Sequence, residues 1–233
     1  MYINLYWGEK MERDNFTDNE QKITETKEPV DAPKTTESTE SQDTPAKKDN
    51  SIILSYLHDL VFLIAGVLLV FSLLFRVVVV SGPSMNNTLI DGDWLLLLGN
   101  ILYGEPEQGD IIVASKDSFD DGKPIIKRVI ATAGQEVDID FEAGLVYVDG
   151  TALDEPYTLT PTNMNEGVEF PLTVEEGCIF VMGDNRNVSK DSRSTEIGLI
   201  DNREILGKAL FLFFPGNNGG KVEREFDRIG VLP

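Results

Sequence analysis

The chain has 233 residues, 41% hydrophobic and 26% charged, which leaves room for one domain of ordinary size with appendages. Its formal charge of −20 falls unevenly: residues 1–50 hold 12 acids and 7 bases, residues 51–80 one of each, and residues 81–233 hold 27 acids against 12 bases. So acidic a surface repels phosphate backbones and excludes nucleic acid as a partner, while the single cysteine, Cys178, excludes an internal disulfide and any CxxC metal or redox site.

Residues 1–50 are poor in aliphatics and dense in Thr, Glu, Asp, Lys, Ser and Pro. They cannot bury enough apolar surface to offset chain entropy, which predicts a disordered acidic tail; within it Met11 is a second candidate start. From Ile52 to Phe75 the run IILSYLHDLVFLIAGVLLVFSLLF is long enough to cross a bilayer, interrupted only by His58 and Asp59 near its start. No small-residue cleavage site follows Phe75, and Leu60 to Phe75 shows almost no polar face, so residues 51–76 are expected to be an uncleaved anchor helix rather than a removed leader or a buried core helix. Lys47 and Lys48 before the span against Arg76 after it favour a cytoplasmic N-terminus, with residues 77–233 outside the cell.

Past Arg76 the pattern turns to strands. Val77–Val80 is β-branched, and Asp93–Leu98, Asp110–Ala114 and Ile125–Ala131 are short apolar segments bounded by Gly, Asp or Pro. Glu136–Asp149 alternates about Glu142-Ala-Gly144 and predicts a hairpin. Cys178–Met182 and Lys208–Phe214 add two strands, Ile197–Leu206 has room for one helical turn, and Pro156–Val174 is expected as a surface loop or insertion. The fold class predicted is mainly β, with a barrel-like coiled sheet entering only through the resemblance given below. Cys178, in the apolar run Cys178–Met182, is expected to be a buried structural cysteine.

Three polar blocks carry the chemistry: SGPSMNNTL from Ser81, KRVIATAG from Lys127, and MGDNRNVSKDSR from Met182. The only histidine, His58, lies in the apolar segment, so a Ser-His-Asp triad cannot form downstream and a serine nucleophile would need lysine as its base. Lysine serves only when neutral, which requires lowering its usual pKa of about 10.4 by roughly two to three units, at a cost to folding of about 3 to 4 kcal/mol. Strand alternation puts Lys127 on one apolar face with Ile125 and Val129, which disfavours the ammonium, and sends Arg128 to the other face. Taken alone, Lys127 reads as a solvated strand lysine and Ser84 as an ordinary turn serine; the company of the other blocks reverses both. Gly82 and Pro83 bend the chain so that Ser84 is presented on a turn beside backbone N–H groups. In the third block, Asp184, Arg186, Asp191 and Arg193 follow a buried-looking strand and are expected to pair into a network that fixes the loop, with Ser189 placed to hydrogen-bond and aim the lysine amine.

These blocks, in this order after a membrane anchor, resemble type I signal peptidase, a Ser/Lys peptidase of exported preproteins, over Val77 to about Phe214. The resemblance implies Ser84 as nucleophile, Lys127 as general base and then general acid, and Ser189 as the residue that orients Lys127. It also implies Asp184, Arg186, Asp191 and Arg193 as structural supports, and Val78, Val80, Met85, Leu89 and Ile126 as walls of pockets for small side chains. It implies an all-β domain with a coiled, barrel-like sheet, docked on the lipid bilayer near its active site and close to the secretion translocon in the plasma membrane, with no metal or other cofactor. Departures are Asn87-Thr88 where Pro-Thr is common, and Gly82 where some members place a serine, leaving the Ser84 N–H as the oxyanion donor. Too few residues separate Lys127 from Met182 for the second large domain of some members, so the chain is a compact form. Two rivals stand beside this reading: a catalytically silent scaffold of the same fold, against which the intact Ser84, Lys127 and Ser189 count, and a self-cleaving repressor, which would want a DNA-binding helix-turn-helix where this chain has a tail and an apolar span.

Overall fold

The computed structural model of the chain describes residues 50–233, so the expected acidic tail lies outside the described residues, Asn50 excepted. Among them the chain falls into two units, one ending at Ile64 and one running from Ala65 to Pro233, and the second holds every strand. Helix α1 spans Asn50–Leu74. Its side chains are exposed from Ile53 to Leu73, and Ile53–Leu74 is long and apolar enough to cross a membrane. Phe75 and Arg76, expected to finish the span, instead open a strand, because Phe75 and Arg76 stand in antiparallel register with Leu98 and Leu97.

Twelve strands follow, numbered in chain order: β1 Phe75–Val79, β2 Trp94–Gly99, β3 Ile111–Ala114, β4 Ile125–Thr132, β5 Glu136–Asp140, β6 Leu145–Val148, β7 Thr151–Ala152, β8 Leu172–Thr173, β9 Cys178–Met182, β10 Ile200–Asp201, β11 Ile205–Phe214 and β12 Gly230–Val231. The larger sheet runs β1-β2-β11-β3-β4-β9-β10, with β12 added along β11; the smaller runs β7-β6-β5-β8. The fold is mainly β, as the patterning predicted. The Glu136–Asp149 hairpin forms as β5 and β6, closed by the Gly144 N–H on the Asp140 carbonyl. The predicted helical turn is a short 3₁₀ segment, Asn202–Glu204, with Asp201 and Glu204 forming a capping box.

Strand β4 is central, and every residue from Ile125 to Ala131 is buried. Ile126 packs with Val78, Val80, Met85, Leu89 and Val113 on one side. Ile125 and Val129 pack with Ile112, Ile179 and Val181 on the other, and a third cluster joins Val137, Ile139 and Val146 to Phe180 and Met182. A lysine and an arginine in such a strand have no water on either face.

Two expectations are corrected. Residues 156–174 are not a mere surface loop: they contribute β8, a bridge from Gly167 to Ser194, and a buried Thr162 under Arg186. The turn-forming composition was visible, but the long-range partners of the segment were not. Cys178 is only partly buried, at the edge of a cleft where β9 starts, and burial pushes its thiol pKa up.

Where β11 crosses β2, backbone replaces side chain. A Cβ on Gly207 would fall 2.2 Å from the Leu98 carbonyl oxygen, a contact that only movement of the strands relieves. Gly207→Ala is expected to cost roughly 2 to 4 kcal/mol, read as a lower urea midpoint for the full chain in detergent.

Candidate active site

The loop between β1 and β2 carries Ser84. Its foot is closed by the Val80 N–H on the Asp93 carbonyl and the Gly92 N–H on the Val80 carbonyl, both at 2.8 Å. Gly82 turns the chain with φ +90, a conformation that suits glycine. Its N–H donates to Asp91 Oδ1 at 2.8 Å, so Gly82 makes the turn and its amide is engaged there rather than aimed at a reacting oxygen. A single turn follows, with the Asn86 N–H on the Pro83 carbonyl and the Leu89 N–H on the Met85 carbonyl. It drives Met85 and Leu89 fully into the core and leaves Ser84 at the head of the turn, 4% exposed.

Lys127 reaches this serine from β4. Its Nζ donates to Ser84 Oγ at 3.0 Å and to the carbonyl of Ile126 at 3.1 Å. Only 1% of the residue is exposed, and burial pulls the pKa of the amine from 10.5 down to about 8. Asp191, Glu166 and Asp184 push the other way, and Arg193 adds to the lowering. With the amine neutral, the same contact lets the Ser84 hydroxyl donate to nitrogen, the direction in which a base activates a nucleophile.

The third block grips both partners through backbone and ion pairs. The Asn185 N–H donates to the Ser84 carbonyl at 3.0 Å, and Asn185 Nδ2 to the Pro83 carbonyl at 3.1 Å. Gly183 sits where Ser84 and Ser189 converge: a Cβ there would lie 2.2 Å from Ser189 Oγ and 2.5 Å from the Ser84 carbonyl oxygen. Ser189 is buried, and its hydroxyl has no hydrogen-bond partner. The contact expected between Ser189 and the amine is therefore not formed, and Lys127 bonds the Ile126 carbonyl in its place.

The charged residues of the block do pair, but three of them, Asp184, Arg186 and Lys190, pair outside it. Asp184 takes a fork from Arg128, Nε to Oδ1 at 2.9 Å and Nη2 to Oδ2 at 2.8 Å, and also accepts the Thr88 hydroxyl. Arg186 forks onto Glu155, at 2.8 and 2.6 Å, and also bonds Thr162 Oγ1. Asp191 and Arg193 pair with each other, at 2.8 and 2.9 Å, while Asp191 Oδ2 accepts the Gly183 N–H. Arg128 also lies 4.0 Å over the ring of Tyr157. Arg128, Glu155, Tyr157 and Thr162 were not singled out from the sequence. For Arg128 the signal was present, since alternation sends it to the face opposite Lys127 and a buried arginine there requires a carboxylate.

A cavity of about 120 Å3 opens on the pair, walled by Pro83, Ser84, Phe119, Ile125, Lys127, Val188 and Lys190. None of the five residues expected as pocket walls, Val78, Val80, Met85, Leu89 and Ile126, lines this cavity; their side chains pack instead into one buried core cluster, each at most 2% exposed. Phe119 and Val188 were missed because each sits in a polar stretch with no periodicity to mark it.

A serine in hydrogen-bond contact with a buried lysine of lowered pKa defines the class: a Ser/Lys-dyad hydrolase. The family model described as signal peptidase, peptidase S26, matches residues 53–214. Signal peptidase I of Bacillus licheniformis is 34% identical over 191 residues, covering 78% of this chain and all of that one. A probable signal peptidase I-1 of Synechocystis is 39% identical over 168 residues, covering 67% of this chain and 82% of that one. A signal peptidase I crystal structure from Enterococcus faecalis overlaps 45% of this chain and 97% of its own at 30% identity, with a TM-score of 0.37. The chain belongs to the signal peptidase family, peptidase S26, and is a serine endopeptidase of the signal peptidase I type.

The Arg128–Asp184 fork joins the strand of the lysine to the loop that grips the serine. Arg128→Gln leaves Asp184 buried and unforked, with an expected loss of about 3 to 5 kcal/mol of stability by chemical denaturation.

Proposed function

We propose that the protein cleaves exported preproteins at the end of their signal peptides, with Ser84 as nucleophile and Lys127 as general base and then general acid. The observation that carries this is the 3.0 Å contact between Lys127 Nζ and Ser84 Oγ in a site from which water is nearly excluded. Ser84 Oγ attacks the carbonyl carbon of the scissile bond while neutral Lys127 takes its proton. The amine then passes that proton to the leaving nitrogen as the bond breaks, and water repeats the exchange on the acyl-enzyme. The Ser84 N–H is the backbone donor assigned to the oxyanion in this reading, and the Gly82 N–H is held by Asp91. Ser189, buried with an unbonded hydroxyl, is suited to accept the amine N–H when Lys127 swings off Ile126, which would aim it at Ser84.

Specificity follows from size. The cavity of about 120 Å3 has room for roughly four waters, which suits a small side chain before the cut and excludes a large one. The helix α1 anchors the enzyme in the plasma membrane with its N-terminus cytoplasmic and the β domain outside, beside the translocon. Holding enzyme and substrate in one bilayer then raises their effective concentration.

Incubating the full-length protein in detergent micelles with a purified preprotein is expected to yield a fragment shortened after a small residue by mass spectrometry. Ser84→Ala and Lys127→Ala should each abolish it; intact turnover by either variant would overturn the assignment. Because the lysine must be neutral to act, kcat/KM is expected to rise tenfold per pH unit below an inflection near pH 8 and to level off above it, measured with a peptide substrate from pH 6 to 10.

A further inference from the structure

The stretch after β11 lies beyond the region matched by the family model, which ends at residue 214. It turns back onto the foot of the Ser84 loop. The Gly216 N–H donates to Asp93 Oδ1 at 2.6 Å, and a Cβ on Gly216 would fall 2.4 Å from the Asp91 carbonyl oxygen, so the approach requires glycine. The Asn218 N–H donates to the Asp91 carbonyl at 3.0 Å. Further on, Arg228 sends a fork to the same carboxylate, Nη1 to Asp93 Oδ1 at 3.0 Å and Nη2 to Oδ2 at 2.7 Å, and Nη2 also donates to the Thr88 carbonyl at 3.1 Å. Asp93 is fully buried, and its Oδ2 also accepts the Ile90 N–H at 2.8 Å.

We propose that Arg228 is a positioning residue for Ser84, acting through Asp93 and Thr88. The inference rests on Ser84 being the nucleophile. Thr88 is held from two sides, its hydroxyl on Asp184 and its carbonyl under Arg228, and Asp184 is in turn forked by Arg128, the neighbour of Lys127 in β4. Arg228 thus closes a polar chain from the C-terminal segment, through the nucleophile loop, to the strand of the base. Its partners, Asp93 and Thr88, lie in the loop and at its foot, whereas Lys127 sits in β4 between β3 and β9. Loss of the fork leaves a buried carboxylate pulling on the foot of the loop, and a shift of about 1 Å at a reacting atom is worth up to about a hundredfold in rate. The effect should therefore fall on the serine and leave the lysine as it was.

The test compares full-length Arg228→Gln, Arg228→Lys and the exposed control Arg203→Gln in detergent, using a peptide that the unsubstituted enzyme cleaves. For Arg228→Gln a kcat about tenfold or more lower is expected, with KM within about twofold and the inflection near pH 8 unmoved. Arg228→Lys should recover part of kcat, since it returns the charge without the fork, and Arg203→Gln should match the parent. Hydrogen exchange at the Ile90 and Gly92 amides should speed up in Arg228→Gln, a readout independent of turnover. Turnover retained by Ser84→Ala alongside faster exchange in Arg228→Gln would overturn the nucleophile assignment and keep the clamp, and faster exchange with parental kcat would overturn the positioning role. Unchanged kcat and unchanged exchange in folded Arg228→Gln would overturn the clamp alone. Should Arg228→Gln fail to fold, Arg228→Lys decides: parental kcat and exchange there would sink the proposal.

Discussion

An amine stripped of water beside a hydroxyl is the contact on which the site depends. In water Lys127 would stay protonated through neutral pH and could not serve Ser84 as the proposed base. In β4 the sheet removes solvent from both faces, and the ammonium loses the hydration that made it stable. The cost falls on folding. Lys127 titrates lower in the folded chain than in the unfolded one, so between about pH 8 and 10.5 the unfolded state binds more protons and stability rises with pH. That rise is about 3 kcal/mol in total, and it is absent below pH 8, where both states are protonated.

The pairing of the neighbouring charges keeps this desolvation effective. Asp191, Glu166 and Asp184 all favour the ammonium, and Arg193 opposes them. Asp191 is forked to Arg193 and Asp184 to Arg128, and burial remains the largest influence on Lys127. The same forks hold the parts together. Arg128 joins the strand of Lys127 to the third block, Asn185 joins that block to the Ser84 backbone, and Thr88 joins the Ser84 loop to Asp184. Burying so many charges contributes little net stability, and the structural return is a fixed relation between two atoms on separate elements.

Much of this was legible in the residues. Alternation in Ile125–Val129 marked Lys127 as facing apolar neighbours, and the β-branched and hairpin patterns located most of the strands, because both depend on local periodicity alone. The pairing of the charged block was legible as a need, but its partners were not. Glu155 and Thr162 come from a stretch of turn residues, and their meeting with Arg186 is set by how residues 155–174 fold back on the block. The C-terminal clamp was invisible for a similar reason: Asp93 and Arg228 are 135 positions apart, and neither stands in a motif. The polar contacts of Ser189 were overread, since a hydroxyl in the right block says nothing about which carbonyl the amine prefers.

The most direct measurement is an NMR titration of the Lys127 side chain, with the Nζ and Cε resonances assigned by comparison with Lys127→Arg. The account predicts a midpoint near pH 8, separated from the exposed lysines, and a return of those lysines alone in the substituted protein. A Lys127 amine that titrates with the exposed lysines, near the ordinary value of about 10.4, would contradict it.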